Sequence, residues 1–193
     1  MKTLKKSLVL VLAFMMAVSV FAFGAGAAYT DEEAITPEYK EAIDVLTGLG
    51  VIAGIGDGTL APKANIERAQ LAKILYEAYT GKAYTTAASY AGLGTFTDVD
   101  VNAWYAGVVN YAAYKGWIKG YGNGNFGPMD NVIGYDALTM ILRMMGYGAF
   151  DELTGTNYRA NALDKASELG MAEGTDKNSV DYSKVATREE VFE

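Results

Sequence analysis

Asp98-Val-Asp100-Val-Asn102 sets three oxygen-bearing side chains at alternate positions, as a calcium loop does at its start. The rest of such a loop is missing. Ala103 stands where the sharp turn needs glycine, and Val109 where a bidentate glutamate should close the site. The glycine clusters beginning at Gly54 and Gly120 have the composition of a phosphate cradle, but no Lys-Ser/Thr follows and no strand precedes. Asp31-Glu32-Glu33 reads as a solvated acidic linker rather than a catalytic carboxylate pair. Met140, Met144 and Met145 fall at helical spacing and read as core. The chain has no Cys and no His, which removes thiolate metal sites, disulfides and the commonest general base. The expectation is a protein with no catalytic residues, no metal and no cofactor.

What repeats is the context around these residues. Gly54-Ile-Gly-Asp-Gly-Thr-Leu-Ala-Pro62 lies over Gly120-Tyr-Gly-Asn-Gly-Asn-Phe-Gly-Pro128 at an offset of 66, with Tyr39 over Tyr105, Gly50 over Gly116 and Ile66 over Val132. At an offset of 120, Gly170 falls on Gly50, Gly174 on Gly54 and Arg188 on Arg68. Three such copies imply units that cannot bury a face alone and share a core with their neighbours.

Each copy reads as helix, glycine-rich loop, helix. Tyr39, Ala42, Ile43, Leu46 and Leu49 form one apolar stripe, and Trp104, Val108 and Ala112 or Ala162, Ala166 and Leu169 form its counterparts. Thr36-Pro37, Asn102 and Thr156 are expected N-caps. Gly50, Gly116 and Gly170 are expected left-handed C-caps. Asp57-Gly58 and Asn123-Gly124 predict tight turns with positive φ. Leu71, Ala72, Leu75 and Ala78, with Ala137, Leu138, Ile141 and Met144, predict the buried faces of the second helices. Thr187-Arg188-Glu189-Glu190 predicts a capping box.

The first residues belong to targeting. Lys2, Lys5 and Lys6 precede the uncharged run Leu8–Phe23, about 16 residues and short of a membrane span. Ala25-Gly26-Ala27 then offers a cleavage site. Without those three lysines the remainder carries 13 basic against 23 acidic residues, a net of −10. Such a charge disfavours nucleic acid and anionic membrane as partners.

Phe96-Thr-Asp98-Val, Trp104-Tyr105, Gly116-Trp-Ile-Lys-Gly-Tyr121 and Asn123-Gly-Asn-Phe126-Gly-Pro128 together resemble the S-layer homology (SLH) domain. Ile66-Glu-Arg68-Ala-Gln70 and Ala186-Thr-Arg188-Glu-Glu190 are similar to that family's Ile-Thr-Arg-Ala-Glu motif. The resemblance covers roughly residues 33 to 193. It implies an all-α fold of three tandem helix–loop–helix repeats about a pseudo-threefold axis, divided as signal peptide 1–28, repeat 29–82, linker 83–95, repeat 96–148 and incomplete repeat 149–193.

The function implied by this resemblance is binding, not catalysis. SLH domains hold exported proteins non-covalently to the bacterial cell wall or S-layer, gripping a secondary cell-wall polysaccharide, often pyruvylated, or peptidoglycan, and some self-assemble in a surface layer. The alternatives are the anchor of a longer exported glycan-degrading enzyme and the peptidoglycan-binding module of an outer-membrane porin-like protein. By the same resemblance Arg68 and Arg188 are candidate anion ligands, expected to be exposed beside free helix-end amides. Asp98 is expected to bond sugar hydroxyls or fix the loop, Trp104 to stack on a sugar or pack in the core, and Gly54, Gly120 and Tyr121 to shape the loops.

Three departures are visible. Glu38 and Tyr158 replace the tryptophan, Thr30-Asp-Glu-Glu33 stands where Phe-x-Asp-Val is expected, and Gly134 replaces one arginine, leaving Lys119 or Arg143 as substitute cations. The third repeat is expected to stop about eight residues short of its counterpart, so its last helix should fray and its groove form poorly.

Overall fold

The computed structural model describes residues 29–171 and 181–192; the expected signal peptide lies outside them. It is helical, with no strand among the described residues. The helices pair as α1 (Lys40–Gly48) and α2 (Arg68–Thr80), α3 (Ala106–Tyr114) and α4 (Gly134–Met144), α5 (Tyr158–Glu168) and α6 (Arg188–Phe192), one pair in each repeat.

The closest helix-to-helix packing runs between repeats. α2 packs on α3, α4 on α5, and α6 returns to α1. The closure is visible in the backbone. Ile66 N donates to Ala186 O (3.1 Å), Ala186 N to Val132 O (2.8 Å), and Val132 N to Ile66 O (2.9 Å). These three equivalent residues form a closed ring of hydrogen bonds around the pseudo-threefold axis. Short bridges Asn65–Thr187, Glu67–Asn131 and Ile133–Val185 flank it.

Each second helix begins at this ring, where its first amides would otherwise lack partners. The Arg68 and Ala69 amides donate to Asp130 O and Pro128 O, those of Gly134 and Tyr135 to Lys184 O and Tyr182 O, and those of Arg188 and Glu189 to Ala64 O and Pro62 O. The helix-end amides expected to greet a ligand are therefore spent on the neighbouring repeat's loop.

The largest apolar cluster is central and draws on all three repeats, with Ile66, Val132 and Ala186 of the ring buried beside Ala137 and Met140, and smaller clusters lie at the other inter-repeat contacts. Leu71, Leu75, Val109 and Trp117 bury together between α2 and α3. Leu138, Leu142, Leu153, Ala162 and Ala166 do so between α4 and α5. Ile35, Tyr39, Ile43, Ile52, Leu60 and Phe192 do so where α6 meets α1. Complete burial of one such leucine stabilises by about 2 kcal/mol. Of the residues predicted for the stripes and the core, Leu49, Ala78, Trp104, Met145 and Leu169 face solvent instead.

The last turn is not left frayed against solvent, since Phe192 is only 3% exposed. Thr187 and Glu190 make the predicted capping box, with Thr187 N donating to Glu190 Oε2 at 2.7 Å and Glu190 N to Thr187 Oγ1 at 3.4 Å. Buried Glu189 accepts from Thr36 N (3.0 Å), Thr36 Oγ1 (2.8 Å) and the Lys63 ammonium. Thr36 thus clasps the third repeat and does not cap its own helix. Asn102 and Thr156 are not caps either, because α3 and α5 begin after Tyr105 and Asn157. The C-caps stand as expected. Gly50, Gly116 and Gly170 have φ of +70°, +76° and +74°, each closing a left-handed turn in which the next amide reaches back to Leu46, Ala112 or Ala166.

Residues 83–95 are not a bare linker. Tyr84–Leu93 forms a 3-10 helix laid across α3. Gly107 permits it: a Cβ there would sit 2.4 Å from the Ala87 carbonyl oxygen. Buried Asn110 donates to Ala91 O at 2.9 Å, and Tyr84 N donates to Glu77 Oε1 at 3.0 Å.

Candidate functional site

The fold leaves three grooves at pseudo-equivalent places, one beside each inter-repeat contact. Their volumes are about 400 Å³ at α2–α3, 440 Å³ at α4–α5 and 500 Å³ at α6–α1. With shape and size so alike, charge and aromatic lining must distinguish them.

The motif arginines lie beneath two of these grooves, and both are buried where exposure was expected: Arg68 is 5% exposed and Arg188 6%. Each reaches across to another repeat's loop. Arg68 Nε donates to Phe126 O (2.8 Å) and Nη2 to Lys119 O (3.0 Å). Arg188 Nε donates to Leu60 O (2.8 Å) and Nη2 to Ala53 O (3.2 Å). The four carbonyls match at the offset of 66. The guanidinium fork is therefore first a cross-link between repeats, and the range over which it acts leaves no local trace in the sequence.

Their charge compensation differs. Arg68 Nη1 lies 3.8 Å from Asp136 Oδ2, and its guanidinium sits 4.5 Å from the Phe126 ring centre and 4.8 Å from that of Tyr121. Gln70 occupies the place of Asp136 in the other groove. Arg188 has no ion pair with a carboxylate among the described residues. Burial pushes its pKa below the usual guanidinium value, opposed by the longer-range fields of Tyr29 and Asp31. A desolvated cation of this kind gains from an incoming anion.

The α2–α3 groove adds Trp104, which is 45% exposed and so is not the core residue its stripe allowed. Its indole is held edge-on by Tyr84 (5.8 Å, 87°) and Tyr105 (5.4 Å, 83°). Lys73 lines the same groove, 2.9 Å from Glu77 Oε2 and 5.4 Å from the Tyr84 ring centre. Tyr84, Lys73 and Gln70 were not among the predicted site residues. Lys73 and Gln70 sit within one turn of each other on the helix that Arg68 begins.

The α4–α5 groove gathers Arg68, Gly120, Tyr121, Tyr158, Lys119 and Arg143. Most of its charge is already committed. Tyr158 OH donates to Asp136 (2.8 Å), Arg143 Nη2 to Leu153 O (2.6 Å), and Lys119 pairs with Asp151 (3.3 Å). Lys119 and Arg143 thus accompany an existing arginine and do not replace the one missing at Gly134. That glycine lines the α6–α1 groove, where a Cβ would lie 2.7 Å from Tyr182 Cα, and there Glu38, Glu189, Glu190 and Asp181 outnumber Lys184, with Asp181 paired to Lys184 and Glu189 to Lys63.

Asp98 settles as the loop clamp. Its two oxygens accept the Phe126 and Gly127 amides at 2.8 and 2.7 Å. Asp31 does the same for Leu60 and Ala61, both at 2.8 Å, so it is no solvated linker residue. Tyr29-Thr-Asp31 is the missing counterpart of Phe96-Thr-Asp98, hidden because one residue is inserted between Asp31 and Tyr39. Gly54 and Gly120 serve the loops, since a Cβ would lie 2.3 Å from Thr59 O or 2.4 Å from Asn125 O. Tyr121 OH donates to Asp130 at 2.8 Å.

The three helix pairs thus close into a ring, with Arg68 and Arg188 crossing between repeats. The chain belongs to the S-layer homology domain family, whose model matches residues 28–72 and 95–134. It is 31% identical over 185 residues to a "Middle cell wall protein" of Brevibacillus brevis, covering 95% of this chain and 17% of the relative. It is also 31% identical over 179 residues to a "Surface layer protein" of Brevibacillus choshinensis, covering 90% and 15%. A more distant relative is "Exoglucanase XynX" of Acetivibrio thermocellus, 25% identical over 163 residues, with 78% and 14% covered. The chain thus spans about a sixth of the length of these relatives. No helix among the described residues is long and apolar enough to cross a membrane, and no cluster there could hold a metal ion.

Proposed function

We propose that this chain anchors an exported protein to the bacterial cell surface by binding an anionic cell-wall polysaccharide, and that the α2–α3 groove is its principal site. The observation that carries this reading is Arg188, buried beneath the groove without a carboxylate partner among the described residues and beside the half-exposed Trp104. An acidic sugar offers a carboxylate for the guanidinium and Lys73, and an apolar pyranose face for the indole. Pyruvate ketals on the polymer fit that requirement. The kinship with surface-layer and cell-wall proteins supports an envelope location and a binding role rather than catalysis. The exoglucanase relative supports a second reading in which the same module carries a hydrolase; the groove chemistry is then unchanged.

The test is cosedimentation with wall sacculi bearing their acidic polymer. Trp104→Ala should weaken binding roughly tenfold, about 1.4 kcal/mol, with the melting temperature retained. Binding within twofold of the parent would remove this groove from the site.

A further inference from the structure

Half the tyrosines of the chain lie between Tyr79 and Tyr121, and one group of them has no part in the groove. Tyr79 meets Trp117 (4.8 Å), Trp117 meets Tyr111 (5.4 Å), Tyr111 meets Tyr90 (4.9 Å), and Tyr90 meets Tyr114 (6.3 Å). This continuous run of five rings joins the C-terminal ends of α2 and α3 to the 3-10 helix. Trp117 is buried, whereas Tyr79 is 51% and Tyr114 72% exposed.

Charge sets this face apart from the rest of the molecule. Residues 78–129 hold only two acids, Asp98 and Asp100, against Lys82, Lys115 and Lys119, in a chain of net charge −7. Asp98 is consumed by the loop amides. The Lys115 ammonium lies 5.2 Å from the Tyr79 ring centre and has no ion pair among the described residues. The face is also continuous with the groove: the 3-10 helix that presents Tyr90 begins with Tyr84, a groove-lining residue.

We propose that Tyr79, Tyr90 and Tyr114 form a second carbohydrate-contact surface, taking an unsubstituted pyranose stretch of a wall glycan whose acidic sugar occupies the groove. Fixed, half-exposed rings with hydroxyls at their tips suit a ligand with flat C–H faces and hydroxyl edges. A nearby cation without acids suits a neutral or anionic polymer. The surface rests on the reading of a wall glycan as ligand, but on different residues.

The experiment compares the parent chain, Tyr79→Ala/Tyr114→Ala, and Tyr79→Phe/Tyr114→Phe. Each is tested on isolated acidic wall polymer, on sacculi stripped of that polymer, and on an N-acetylglucosamine tetramer as a neutral probe. The alanine pair should bind the glycan source about tenfold more weakly, the phenylalanine pair within threefold of parent, and both should keep the parent melting temperature. Loss on isolated polymer bears the proposal out; loss confined to stripped sacculi or the tetramer, which lack the acidic sugar, assigns the face to the peptidoglycan strand and overturns it. Unchanged binding on every arm overturns the second surface while leaving the groove reading intact if Trp104→Ala still fails. An effect seen only as lost self-association in sedimentation velocity assigns the face to a second copy of the chain and also overturns it. A parent chain that binds none of the three overturns both readings.

Discussion

The α2–α3 and α4–α5 grooves are built from matching parts at the same offset, yet among the described residues one motif arginine is provided with a carboxylate and the other is not. Arg68 has Asp136 at 3.8 Å, and Arg188 has Gln70 in that place. A triplicated scaffold can keep the arginine for its cross-linking bonds while a single residue one turn away decides whether its charge is available. The motif arginine alone therefore does not identify a binding groove.

The broadest challenge to that comparison is to remove the arginine altogether. Arg68→Ala or Arg188→Ala should each cost about 3 kcal/mol, because two loop carbonyls lose a charged donor in a buried place. That is a fall of roughly 10 °C in melting temperature for a chain of this size, measurable by calorimetry. A loss below ~1 kcal/mol would show the cross-link to be idle.

Exchanging the neighbouring residue should separate binding from folding. Gln70→Asp gives the α2–α3 groove the carboxylate of its counterpart and should weaken binding to acidic polymer by about 2 kcal/mol, the scale of a charged hydrogen bond. The helix should survive, since aspartate at this position can still serve the first turn. The change Asp136→Asn should release Arg68 and strengthen binding at the α4–α5 groove by a smaller amount, about 1 kcal/mol, because the Tyr158 hydroxyl then bonds a neutral acceptor and that weakening offsets part of the gain. Titration calorimetry with isolated polymer reads both; opposite signs are required.

The acidic third groove should respond to pH rather than to polymer. Burial raises the Glu189 pKa, but the Lys63 ammonium and the Thr36 amide and hydroxyl outweigh it, and the net shift is downward. A depressed folded-state value means that the stabilisation is present above the unfolded value of about 4.3 and is lost as pH falls through the lower folded value. Urea midpoints between pH 3 and 7 should fall at the acid end, less steeply in Glu189→Gln. The smallest effect should come from Thr187→Ala, about 1 kcal/mol for the capping box.

The triplication, the three glycine C-caps and the Thr187–Glu190 box were legible because each is written in residues a few positions apart. The partners of the arginines were not: Arg68 binds carbonyls 51 and 58 residues away, and Arg188 binds them 128 and 135 residues away. Asp31 escaped notice because gapless registration cannot see one inserted residue. The 3-10 helix was missed because residues 84–93 have no amphipathic period, and what holds them is Gly107, Asn110 and Glu77 on other elements.

The ring of backbone bonds also constrains when the fold can exist. Ile66 has no amide partner until Ala186 has been made, and Thr36 waits for Glu189, 153 residues later. A growing chain can assemble α2 against α3, but α1 has no second-helix partner until α6 arrives. Closing so long a loop is a single late step whose entropic cost must be met in full before its contacts form. A polypeptide with that order of events keeps the α1 end of its ring open until α6 has been made.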